Sequence, residues 1–275
     1  MDSQVNQSDS NQESSDDEQK KEDDEEEEID VDFEFCQPAE IDFHGLKTLL
    51  KQTFQNDIEK LNDSDLADYI INLNVGTVVK VDDGLDPYAF VSLLDCKKNI
   101  PCIKQVKDFI LEKSKDLEKL STILKTKHCG IVLNERLINM PPQIIPNLFK
   151  MLLDEIQETI KAKKDTNYDY YIFISKVYTE VESIIDNDEK EEEETVNPKK
   201  KKQKVKTPEV FYFQAEDEFI QPHAEFTFDY QLPKGQVSDS RRAFYEVGVE
   251  PFRRIMVVPS KNMTKIMPIL NELLV

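Results

Sequence analysis

Apolar and polar positions repeat with different periods along this chain, and the period predicts the element. The most informative stretch is CGIVLNERLINMPPQIIPNLF over 129–149. Residues 130–133 are apolar, Asn134-Glu135-Arg136 is polar, and 137–140 is largely apolar again. Pro141-Pro142 suits a helix entrance, where the backbone N–H that proline lacks is not needed. Ile145, Leu148, Phe149, Leu152, Ile156 and Ile160 then recur at helical spacing. The pattern predicts a buried strand, a polar loop carrying the triplet, and a helix laid back across a sheet.

Period two marks further strands. Ile29, Val31, Phe33 and Phe35 alternate with Asp30, Asp32, Glu34 and Cys36, as an edge or half-solvated strand does. Ala224, Phe226, Phe228 and Tyr230 alternate with Glu225, Thr227 and Asp229. Gly76 opens a strand over 77–81, and Asp82-Asp83-Gly84 turns it into another over 88–94. Residues 169–177 are almost continuously apolar, the mark of a central strand, with 209–215 as its expected partner. Residues 254–258 form a short strand. Helical spacing places Leu46, Leu49, Leu50, Phe54, Ile58 and Leu61 behind an Asp42 cap. Leu66, Ile70 and Leu73 follow Asn62-Asp63-Ser64, and Ile103, Val106 and Ile110 follow Asn99 and Pro101. A charged segment with Leu117, Leu120 and Leu124 precedes residue 130. A closing helix after Pro259-Ser260 turns most of Met263, Ile266, Met267, Leu270, Leu273 and Leu274 inward. Strands and helices mix without strict alternation. The expectation is one α/β (α+β-like) domain over 31–275, built on a mixed sheet flanked by helices.

Charge sets off two segments from that domain. Residues 1–34 hold sixteen acids and two bases, so −14 of the chain's −21 lies there. Residues 1–30 have almost no large apolar side chain to offset the entropy of ordering, and they read as a disordered acidic tail. An acid run meets a basic run over 186–208, which reads as a disordered charged insertion. The amino terminus lacks the apolar run of a secretory leader, and no stretch approaches a membrane span. Four cysteines, Cys36, Cys96, Cys102 and Cys129, are expected as reduced thiols in an intracellular protein.

Little in the sequence carries chemistry. The six glycines are never closer than eight residues, so no phosphate-cradling loop can be written, and no nucleotide or CoA cofactor is expected. His44, His128 and His223 are scattered, and no metal-ligand spacing occurs. Cys129 beside His128 invites a nucleophile reading, against which stands the ordinary one of a small buried hydrophobe. No catalytic residue is assigned. The signal above background is basic: Lys199, Lys200, Lys201, Lys202, Lys204 and Lys206 form a compact run that an import receptor reads. A solvated linker is the alternative. Nucleic acid is disfavoured as a direct ligand, because −21 opposes approach to phosphate.

With these residues in view the chain resembles the BCCIP family, the Bcp-type proteins of fungi and other eukaryotes. The resemblance rests on VGTVVK at 75–80, AFVSLLD at 89–95, GIVLNERLINMPPQI at 130–144, YIFISKVY at 171–178 and IMVVPSKNMTKIM at 255–267. NERLINMPPQI is its most specific piece. The resemblance implies a fold similar to GCN5-related acetyltransferases without working acetyl transfer, which agrees with the missing glycine loop. It also implies a nuclear protein, shuttling to the cytoplasm, that chaperones a basic ribosomal protein (universal L fourteen) in large-subunit biogenesis and assists nuclear transport. The alternatives are an acetyltransferase-like enzyme and an adaptor binding cell-cycle or DNA-repair partners. For client capture the candidates are Glu22, Asp23, Asp24, Glu25, Glu26, Glu27 and Glu28. For the folded surface they are Asn134, Glu135 and Arg136, although a plain strand end explains that triplet as well.

Overall fold

A computed structural model describes residues 31–73, 75–82, 84–115, 117–163, 167–180, 209–232 and 248–274. The chain divides into two units, Met1–Val31 and Asp32–Val275, and the sheet with all its helices belongs to the second. Eight strands form one sheet: β1 (Phe33–Cys36), β2 (Gly76–Val81), β3 (Ala89–Asp95), β4 (Cys129–Arg136), β5 (Tyr170–Glu180), β6 (Val210–Tyr212), β7 (Phe226–Gln231) and β8 (Val249–Pro259). The order is β1-β2-β3-β4-β5-β8-β7, with β6 also on β5. Among the described residues only β4 and β5 pair in parallel. The expected mixed α/β architecture is the one observed.

Two apolar layers, one on each face, hold the sheet between helices. The helices α1 (Phe43–Phe54), α2 (Asp63–Ile71), α3 (Pro101–Lys113) and α4 (Leu117–Thr126) cover one face. There Phe54, Ile103 and Phe109 meet Ile131, Leu133, Ile172 and Ile255. The other face carries α5 (Ile145–Lys163), α6 (Ala215–Ile220) and α7 (Met263–Leu273), where Phe149, Ile220 and Ile266 meet Val132, Phe173 and Met256. Successive strand residues point to opposite faces, so strands covered on both sides must be apolar throughout. That is why 169–177 shows no alternation.

Several local expectations change. The triplet Asn134-Glu135-Arg136 lies inside β4, paired with Val91, Phe90 and Ala89, and not in a loop. Strand geometry tolerates these polar residues because partners wait on both faces. Asp42 makes no side-chain cap to α1. Its Oδ2 accepts from Ala39 N–H, and Oδ1 pairs with Lys80 Nζ at 2.8 Å. Asn62 does cap α2, accepting from Asp65 N–H at 3.1 Å. The strand over 209–215 stops at Tyr212, and α6 begins at Ala215 with Glu216, Asp217 and Glu218 in its first turn, where acids suit the positive end of a helix. Strand β8 is eleven residues long, twice the expectation, because it pairs fully with β5 on one side and with β7 on the other. In the closing helix and its C-cap Met263, Ile266, Leu270 and Leu274 are buried and Leu273 is the exposed exception. Among the described residues no helix is long and apolar enough to cross a membrane.

Candidate functional site

Strands β4 and β5 run together for only four residues, Cys129 to Val132 against Tyr170 to Phe173. Beyond that β4 continues along β3 to Arg136, and β5 continues along β8 to Glu180. The sheet forks, and β6 takes the vacated side of β5 only at Val177, Tyr178 and Thr179. Polar residues collect in the fork, sorted by the same alternation that sorts the core. Glu135 and Lys176 follow Leu133 and Ile174 toward α1, while Asn134, Arg136 and Ser175 turn toward α6.

On the α1 side Glu135, 1% exposed, accepts from Lys176 Nζ and from Gln214 Nε2 at 3.2 Å. It also accepts from the backbone N–H of Arg136 at 3.1 Å. Odd-numbered residues of β4 bond toward β3, as Leu137 N–H to Tyr88 O and Cys96 N–H to Cys129 O mark. The N–H of Arg136 therefore faces the fork, and the Glu135 carboxylate replaces the strand it lacks. Thr53 shares its one hydroxyl proton between Leu49 O at 3.1 Å and Glu135 Oε2 at 3.3 Å. Arg253, 1% exposed, donates Nε to Thr53 O at 3.1 Å and a terminal nitrogen to Gln52 O at 3.3 Å. Carbonyls in the last turn of a helix have no internal donor, so this guanidinium from β8 closes the end of α1. The helix stops at Gln55, whose φ of 48° and ψ of −128° are rarely adopted by a residue with a side chain.

On the α6 side Glu216 is fully buried and accepts from the Arg136 guanidinium and from Asn134 Nδ2 at 3.1 Å. Its second oxygen has no hydrogen-bond partner among the described residues. Ser175 Oγ and Asp217 Oδ2 are 2.6 Å apart. Burial, and then the neighbouring Glu216 charge, push the Asp217 carboxyl up to about 8; the Ser175 hydrogen bond, Arg136 and Lys176 only moderate this. Both causes favour the neutral carboxyl of Asp217, which lessens the negative charge gathered in the fork. Buried ions cost several kcal/mol each to desolvate, and here each has its partner within hydrogen-bond reach.

The fork opens to solvent as a cleft of about 570 Å³ between α1, the end of β4 and the turn after β6. Amide side chains of Gln52, Gln55, Asn56 and Gln214 line it, with Lys51, Arg136, Lys176 and Arg253 as its cations. No acid lines it. At its mouth Ile138 is 97% exposed and Phe213 37%. The cleft offers hydrogen bonds and two apolar anchors. Cys96 and Cys129 lie elsewhere and are unactivated: burial raises both thiols to about 12. Cys129 is fully buried, as the small-hydrophobe reading of that residue requires. Among the described residues no group of three or more His, Cys, Asp or Glu could hold a metal.

The predicted residues therefore separate. Of the triplet, Arg136 reaches the cleft wall, while Glu135 is sealed behind it. Glu22 to Glu28 and Lys199 to Lys206 lie outside the described residues. Sequence reasoning missed Lys176, Gln214, Glu216, Asp217 and Arg253. A lysine and an arginine inside near-continuous apolar strands were the available signal.

Residues 28–220 match the family model BCCIP. The chain belongs to the BCCIP family. It is 34% identical to protein bcp1 of Schizosaccharomyces pombe over 258 residues, covering 89% of this chain and 90% of that protein. It is 33% identical to protein BCP1 of Debaryomyces hansenii over 267 residues, covering 89% and 86%. The crystal structure of BCP1 from Saccharomyces cerevisiae superposes with a TM-score of 0.60 at 28% identity, covering 92% of both chains. The BCCIP family model thus spans the fork from β4 to α6, the segment that supplies Glu135, Gln214 and Glu216.

Proposed function

We propose that this BCCIP-family protein is a non-enzymatic, Bcp1-type nuclear chaperone. Its client is a basic large-subunit ribosomal protein of the universal L fourteen type, and its work lies in ribosome biogenesis and nuclear transport. Two separate features support the reading. The tail supplies long-range attraction, with Glu22, Asp23, Asp24, Glu25, Glu26, Glu27 and Glu28 as seven acids in a row. The cleft supplies shape, and the observation that carries most weight is Ile138, a large apolar side chain held 97% exposed beside a wall of amides. Side chains of that kind are typical anchors of an interface. Because the cations of the cleft repel lysine and arginine, it takes an apolar, hydrogen-bonding element of the client and leaves the basic segments to the tail.

The test is the affinity of the full chain for the purified ribosomal protein. Ile138→Asp weakens it tenfold or more with the melting temperature unchanged, since the side chain is already in water. Glutamines in place of the seven acids weaken it chiefly at low salt. Alanines at Lys199, Lys200, Lys201, Lys202, Lys204 and Lys206 leave binding intact and move the protein to the cytoplasm, as loss of import-receptor recognition requires. Unchanged affinity in the Ile138 variant removes the cleft from the function, and saturable acetyl-CoA binding in calorimetry favours an acyltransferase instead.

A further inference from the structure

The opposite end of β4 carries a different kind of charge. Two surface grooves of about 310 and 380 Å³ lie where the turn after β3 meets the end of α4, and both are walled by Cys96, Lys97, Leu124 and Lys125. Together they gather Lys97, Lys98, Lys104, Lys107, Lys125 and Lys127 against two lining acids, Asp108 and Asp169. This is a concentrated positive face on a chain of net −21. Two of the lysines are fixed in place: Lys107 Nζ donates to Cys96 O at 2.7 Å, and Lys98 Nζ to Tyr69 OH at 3.2 Å. Lys97, Lys104, Lys125 and Lys127 are exposed. Lys104 pairs with Asp108 one helical turn away, but a solvated pair of this kind is worth so little that the lysine can exchange it for a phosphate.

We propose that this face binds the phosphate backbone of a nucleic-acid duplex. The lysines are spread over two joined grooves and do not converge on one pocket, as a partner with evenly spaced charges requires. Among the described residues no arginine lines either groove. Lysine acts as a point charge indifferent to fork geometry, which suits phosphate without base readout and is a poorer match for the planar carboxylates of an acidic peptide. Nor does any described Phe, Tyr or Trp line them, so single-stranded bases find no stacking platform there. The apolar lining is Leu111, Leu124 and Cys96, none of them exposed, which gives a membrane nothing to insert. Whole-chain charge speaks against this ligand only while charge is taken as uniform. At physiological ionic strength fields decay over about 8 Å, so the local face decides.

The experiment is fluorescence anisotropy of a labelled RNA duplex titrated with the full chain across a salt series. It compares the wild type, a Lys104→Gln/Lys125→Gln/Lys127→Gln variant, and a variant with Lys199 to Lys206 neutralised. Removing three phosphate contacts lowers the slope of log K against log salt by about 2 to 3 and weakens binding at least tenfold near 100 mM salt, both order-of-magnitude figures. Melting temperature and affinity for the ribosomal protein stay as in the wild type. The proposal is overturned if the triple variant binds RNA like the wild type, or if only the Lys199 to Lys206 variant loses binding. It is equally overturned if the wild type ignores the duplex while binding anionic vesicles or a polyglutamate peptide.

Discussion

The two ends of β4 both carry charge and use it in opposite ways. At the Arg136 end Glu135, Glu216 and Arg253 are at most 1% exposed, and each closes on a partner within the fold. At the Cys129 end Lys125 and Lys127 project into solvent. The contrast teaches where charge becomes structural. A desolvated ion is held by its partner and destabilises the fold when that partner goes, whereas a solvated ion costs the fold nothing and is available to something else.

The contrast breaks most visibly at Glu135. Glu135→Ala strands Lys176, Gln214 and the Arg136 N–H together, and urea denaturation should record a loss of about 3–5 kcal/mol. A loss below about 1 kcal/mol would mean that water compensates the fork, and its charges would then be no different in kind from the lysines. Asp217 sharpens the same point through pH. Its carboxyl rises from 3.8 to about 8 on folding, so the folded chain keeps a proton that the unfolded chain releases. That contribution is complete below about pH 4 and disappears as pH climbs through about 8. Relative to wild type, Asp217→Asn should therefore gain stability steadily over that window, read as the difference between two melting-temperature profiles; parallel profiles would rule out the buried proton. The smallest effect belongs to the other end. Lys104→Ala removes an exposed pair with Asp108 and should shift stability by no more than about 0.5 kcal/mol in the same denaturation assay.

The legibility of the sequence follows the same division. Period two placed β7, an unbroken apolar run placed β5, turn residues placed β2 and β3, and the 3.6-residue pattern placed most helices, because apolar burial writes itself into spacing. The fork did not register, since nothing local says that β4 and β5 separate after four pairs. Reading 129–136 as one continuous strand would have put Glu135 on the face of Ile131 and Leu133, and hence under α1. The polar triplet looked like a loop because its partners are 41 to 82 residues away. Helix α6 stayed hidden in six residues, too short for its period to show. The lysine face escaped for a related reason: 97–107 and 125–127 become neighbours only once the sheet has formed.

Arg253 reaches Thr53 O across 200 positions of sequence, and its strand lies between β5 and β7. In order of synthesis, then, a central plank of the sheet is made after the seven other described strands. Until it emerges from the ribosome, the end of α1 stays open, β7 has no neighbour on its inner side, and the cleft lacks Pro251 and Arg253 from its lining. A chain cut before β8 would hold α1 to α6 and still lack one wall of the cleft, so the groove is complete only once β8 has joined the sheet.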